Sequence, residues 1–137
     1  MSDERTSQGS IEEWLSRAGE ARNASEVNEL LGLSERDLET LERDGVVLAL
    51  STAEARYFPT WQFDLGSTEP SIRLVTSQIV TAFRQEIDDI SPYVIAAWAT
   101  SPQPELADQT PAEWIKAGGE DAPVVLAAQR AAHLEAA

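Results

Sequence analysis

The chain has 137 residues, no cysteine and a formal net charge of −14. That length holds one domain, or two very small ones sharing a core, and an apolar fraction of 42% is enough to fold without covalent staples. Disulfides and thiolate metal sites are excluded, and no apolar run reaches the roughly 18 residues that span a bilayer. No membrane association is therefore expected.

The polar start, MSDERTSQGS, has no apolar h-region, so a signal peptide is not expected and a cytoplasmic location is. Residues 1–68 carry 14 acidic and 6 basic groups, and residues 69–137 carry 10 and 4. Both halves are acidic, with no basic block to mark a nucleic-acid footprint. Such a field repels phosphate and favours a basic protein partner, or serves solubility alone.

In chain order, residues 1–10 lack periodicity and read as a disordered lead-in. Ser10 then opens a short helix with Ile11, Trp14, Leu15 and Ala18 on its buried face, Trp14 being a core residue. A second helix, capped at Ser25, places Val27, Leu30 and Leu31 together and stops at Gly32. Ser34 caps a third, which turns Leu38 and Leu41 inward and closes at Gly45. The apolar run 46–50 and Arg56–Pro59 predict a small hairpin with 51–55 as its turn.

Residues 24–63 thus resemble the helix-turn-helix and wing of excisionase-like or MerR-like DNA-binding domains, in the wording ELLGLSERDLETLERDGVVLAL and RYFPTWQF. The resemblance implies operator DNA as a partner, with Arg36 and Arg43 as the contacting residues. The third helix, however, sets Glu35, Asp37, Glu39, Glu42 and Asp44 against those two arginines, a net −3 where phosphate would lie. A helix-turn-helix used for packing or self-association is the other reading.

Phe58, Trp61 and Phe63 are expected to fill a seam between the two halves, with 66–70 as the linker. From Ser71 to Asp89 a helix carries Ile72, Val75, Ile79, Phe83 and Ile87 at steps of three or four. Ser91-Pro92 starts an apolar helix through Trp98, which Pro102 and Pro104 stop. Thr110-Pro111 repeats the start signal around Trp114, and Gly118 ends that helix. A last helix runs from about Ala122, with Val124, Val125, Ala128 and Ala131 inward. The expected architecture is mainly α, with a lead-in over 1–10, a helix-turn-helix with hairpin over 11–65, and a helical module over 66–137. Phe58, Trp61, Phe83, Trp98 and Trp114 join Trp14 as expected core residues.

Nothing in the chain spells a catalytic arrangement. The single histidine, His133, has no nucleophile beside it, and Gly118-Gly119 lacks the glycine and lysine pattern of a phosphate loop. No enzyme, cofactor or metal is expected.

Residues 56–128 are similar to the toxin-binding domain of Xre/MbcA/ParS-type antitoxins, whose pattern W-x-x-x-P-N-P-x-L-x-G-x-x-P is followed by a short helix and glycine. The matching residues are Trp98, Pro102, Pro104, Leu106, Thr110, Pro111, Trp114 and Gly118, while Gln103 stands for the usual asparagine and Asp108 for the usual glycine. The resemblance implies a cognate toxin partner, an NAD-consuming enzyme of the RES fold, whose active-site mouth the antitoxin covers. It implies autoregulation of the operon through the helix-turn-helix. It puts the contact surface on Pro102, Pro104, Glu105, Leu106 and Asp108 together with Gln129, Arg130 and His133. Two other functions fit the sequence as well. One is a small regulator that dimerises through its C-terminal half; the other is an acidic mimic of nucleic acid that occupies a basic partner.

Overall fold

A computed structural model describes residues 21–53, 55–66 and 68–137. The expected first helix with Trp14 and the expected lead-in lie outside these residues. Strand β1 (Ala21–Asn23) leads directly into helix α1 (Ala24–Leu31). The cap of α1 is Asn23, two residues earlier than the expected Ser25. Asn23 Oδ1 accepts from the Glu26 N–H at 2.9 Å, and the Glu26 carboxylate returns the bond to the Asn23 N–H. Those bonds come from inside β1, which is why Ser25 is left without the capping role. The Asn23 N–H and then the Arg22 guanidinium hold the Glu26 carboxyl below the usual carboxylate range. Gly32 ends α1 in the left-handed conformation at φ 64°. Helix α2 (Glu35–Arg43) starts at Ser34 with a second capping box, through Asp37.

The hairpin is shorter than the apolar run suggests. Strand β2 is only Leu50–Ser51, paired antiparallel with β3 (Arg56–Pro59) in the register Leu50↔Tyr57. Strand β1 pairs with the other edge of β3, Arg22↔Phe58, giving the order β1-β3-β2. Residues 47–49 are buried without strand pairing, because a side chain takes the place of a neighbouring strand. Gln62 Oε1 accepts from the Leu48 N–H at 2.7 Å, and Gln62 Nε2 donates to the Leu48 carbonyl at 2.8 Å. Gln62 lies in a 3₁₀ turn, Thr60–Gln62, and is fully buried.

Strand β4 (Phe63–Asp64) pairs antiparallel with β5 (Ser71–Ile72). This ladder corrects the expected helix over 71–89. Ile72 is a strand residue opposite Phe63, and helix α3 spans Leu74–Glu86, with Ile87 already extended at its end. The ladder also crosses the expected boundary at 65/66, so 11–65 and 66–137 are joined by backbone hydrogen bonds. Helix α4 (Pro92–Ala99) follows the Ser91 cap, then come a 3₁₀ turn at Pro104–Leu106, helix α5 (Pro111–Lys116) and helix α6 (Asp121–Ala136). Six helices with two small antiparallel sheets make the described residues a mainly α fold.

Two apolar clusters form the interior. The smaller holds Val27, Leu38, Val47, Ala49, Phe58 and Phe63 beneath α1 and α2. The larger gathers Val75, Ile79 and Phe83 of α3, Ile95 and Trp98 of α4, Leu106, Ile115, and Val124, Ala128 and Ala132 of α6. Leu48, Leu50 and Trp61 cross over from the N-terminal half to join it. The aromatic entry therefore straddles both clusters, Phe58 and Phe63 on one side and Trp61 on the other. Phe83 and Trp98 meet edge to face, with centroids 5.5 Å apart. Helices α3 and α6 run in the same direction. Ser77 and Gln78 share a groove with Val125, and Glu86 lies opposite His133.

Side-chain contacts also tie the halves together at the surface, among them the Tyr93 hydroxyl donating to the Ser51 carbonyl at 2.9 Å. The Arg84 guanidinium of α3 donates to the Arg43 carbonyl at 3.0 Å and reaches the Glu42 carbonyl at 3.5 Å, at the C-terminal end of α2. A cation there satisfies carbonyls left open by the helix and complements its dipole. Gly45, at φ 77°, lies against this guanidinium, where an added Cβ would come within 2.8 Å of Arg84 Nη1. Replacing Arg84 by methionine is expected to lower stability by about 1 kcal/mol, measured by urea denaturation.

Candidate functional site: the connector and the last helix

The segment after α4 is bent by its own backbone. The Gln103 carbonyl accepts from both Leu106 and Asp108 N–H groups at 3.0 Å, and the Gln103 N–H donates to the Gln109 carbonyl at 3.1 Å. Ala107 and Asp108 are both left-handed, at φ 54° and 64°. Position 108, where the antitoxin pattern usually has glycine, thus needs a conformation that glycine adopts freely and aspartate tolerates. Thr110 then caps α5 in a capping box with Glu113, whose carboxyl is held below the usual range by Thr110, first through the backbone and then the side chain.

Of the eight sequence-predicted contact residues, the structure exposes Pro102, Pro104, Asp108, Gln129, Arg130 and His133. Two are corrected. Leu106 is fully buried in the larger cluster, because the 3₁₀ turn directs it under the connector against α6. Glu105 is half-buried and engaged: Arg130 Nη1 donates to its Oε1 at 2.9 Å. The 102–108 and 129–133 segments, far apart in sequence, are joined by that pair and by Leu106 beneath it. His133 Nδ1 lies 3.9 Å from the Glu86 carboxylate, an ion pair only when the imidazole is protonated.

Among the expected core residues, Phe58, Trp61, Phe83 and Trp98 are buried. Trp114 is a correction, since it is only half-buried. Its indole covers Gly119, where an added Cβ would overlap the ring, and its Nε1 donates to the Glu120 carbonyl at 2.9 Å. Trp114 therefore packs against the edge of the larger cluster and clamps the turn between α5 and α6.

Sequence reasoning missed Leu126 and Leu134 of α6, which are 58% and 65% exposed. With Arg130 midway between them they repeat at steps of four, so all three lie along one face of the helix. That spacing is readable in the chain, but which face of an alanine-rich helix turns outward depends on its packing.

On the opposite half, Arg36 and Arg43 are exposed on α2. Arg43 Nε lies 3.5 Å from its neighbour Asp44. The charge around α2 is less acidic than its own residues indicate, because Arg56 of β3 pairs with both Glu35 and Glu42. Burial, and secondarily Glu39, push the Glu42 carboxyl above the usual range even so. Among the described residues, no group of three or more histidine, aspartate or glutamate side chains is placed to hold a metal ion. No helix among them is long and apolar enough to cross a membrane.

No family model, curated protein sequence or solved structure matches this chain.

Proposed function

We propose that the chain is an antitoxin-like binding protein that neutralises a RES-type, NAD-consuming toxin. The observation that carries this reading is the union of connector and last helix, in which Leu106 and the Glu105–Arg130 pair hold two distant segments as one exposed edge. An edge braced in this way loses little conformational entropy when a partner covers it. Its exposed leucines on α6 supply apolar contact, and the surrounding acidic field suits an enzyme whose NAD site is positively charged. Co-expression with a RES-domain protein encoded beside it is expected to restore growth and yield a stable complex, and Arg130→Glu is expected to weaken both. Absence of both the rescue and the complex would overturn the reading.

A second reading, DNA binding through α2, is favoured by the outward Arg36 and Arg43 and by the offset that Arg56 gives to Glu35 and Glu42. It adds autoregulation to the first reading, or replaces it with a small regulator. A gel shift on upstream DNA decides: binding that falls steeply with salt supports it, and no binding at low salt removes it.

A further inference from the structure

At the end of the molecule where α3 and α6 both terminate, an open groove of about 500 Å³ lies between Glu86 and Val94 on one side and Glu135 and Ala136 on the other. Its lining is mixed: Ile87, Ile90 and Val94 are half-buried there, beside the carboxylates of Glu86, Asp88, Asp89 and Glu135. Among the described residues no lysine or arginine pairs with any of these four carboxylates, and only Glu86 has a basic side chain near it, His133 at 3.9 Å. Two helices running in the same direction also bring their C-terminal ends to this spot, and the negative ends of their dipoles add to the same potential.

We infer that this groove is a docking site for a protein segment that presents arginine beside an apolar side chain. Ile87, Ile90 and Val94 take the aliphatic part, and the guanidinium reaches the carboxylates beside them, where its planar fork can meet one through two hydrogen bonds. A second copy of this chain is the wrong occupant. Each copy has a net charge of −14, and pairing two such grooves sets carboxylate against carboxylate. The inference names the kind of surface a partner presents, and rests on the binding-protein reading only for which partner supplies it.

The test is an amide ¹H–¹⁵N titration of the full chain with an acetylated, amidated peptide of alternating leucine and arginine. A glycine–arginine peptide of equal charge is the control. Saturable shifts centred on residues 86–94 and 135–136 are expected, with the control binding about tenfold more weakly for lack of an apolar contact. The triple variant Asp88→Asn, Asp89→Asn, Glu135→Gln is expected to lose the response, and asparagine suits the left-handed backbone of position 89, at φ 54°. No saturable shift, shifts spread over the whole acidic surface, equal affinity of the two peptides, or an unchanged variant would each overturn the inference. No toxin enters this experiment, so its failure is separate from failure of the growth assay.

Discussion

Replacement of Gln62 by leucine is expected to lower stability by about 3–5 kcal/mol, read as a reduced urea midpoint at unchanged m-value. Gln62 is fully buried, and its amide satisfies both backbone groups of Leu48. Leucine fills similar space but leaves the Leu48 N–H and carbonyl without partners in an apolar surround. Each such buried group costs about 1–3 kcal/mol. The effect spreads further, because the Gln62 carbonyl also accepts from the Arg73 N–H at 2.7 Å, one residue before α3. A variant that loses under 1 kcal/mol would mean that water or a shifted strand replaces the amide.

Leu106→Ala is expected to be comparably severe, with a loss of about 2–5 kcal/mol from the removed apolar volume and the cavity left behind. The side chain belongs to the larger cluster and is fully buried. Faster amide exchange in 103–109 and in the first turns of α6 is expected to accompany the loss, since Leu106 holds one to the other. Pro104→Ala, at an exposed position next to it, is expected to change stability by less than about 0.5 kcal/mol. If the two variants behave alike, Leu106 does not anchor the connector.

The parts of this fold that are legible in the sequence are those set by nearby residues. Ser34, Ser91 and Thr110 cap helices as read, and Gly32 and Gly118 are left-handed, because each signal acts within one helical turn. The misreadings come from pairing across distance. Ile72 fits a helical stripe with Val75 and Ile79, yet its pairing with Phe63 draws it into a strand. Strand β1 has no apolar alternation to announce it, and exists because β3 offers a free edge. Leu106 is the one large apolar residue of a proline-rich turn between Glu105 and Asp108 and reads as surface, but a single leucine in such a turn can be what fastens it to the core. Gln62, one amide inside the aromatic run from Phe58 to Phe63, carried a similar signal. A polar side chain among residues bound for burial must find partners, and the main chain of Leu48 supplied them.

For the candidate site, the sequence reading names residues in both segments but not how the two segments meet. Arg130 and Glu105 are charged residues on elements whose packing is fixed only by the buried faces beneath them. The exposure of Leu126 and Leu134 likewise depends on which face α6 turns to α3, and alanine-rich spacing alone leaves that rotation undetermined.

The same-direction pairing of α3 and α6 also bears on the order in which the chain acquires its structure. Parallel neighbours cannot be joined by a short turn, so the strap from Ile87 to Glu120, with α4 and α5 in it, must be made before the two helices can meet. Closing so long a segment has an entropic cost that the contacts of α4 with α3, such as Phe83 on Trp98, offset only in part before the pairing is complete. During synthesis Val75, Ile79, Phe83, Ile95 and Trp98 leave the ribosome well before Val124, Ala128 and Ala132 exist to cover them. A chain halted within the strap would hold its larger cluster open to solvent, whereas the smaller cluster under α1 and α2 is already complete. Folding on the ribosome should therefore proceed in two stages, with the second delayed until the last helix emerges.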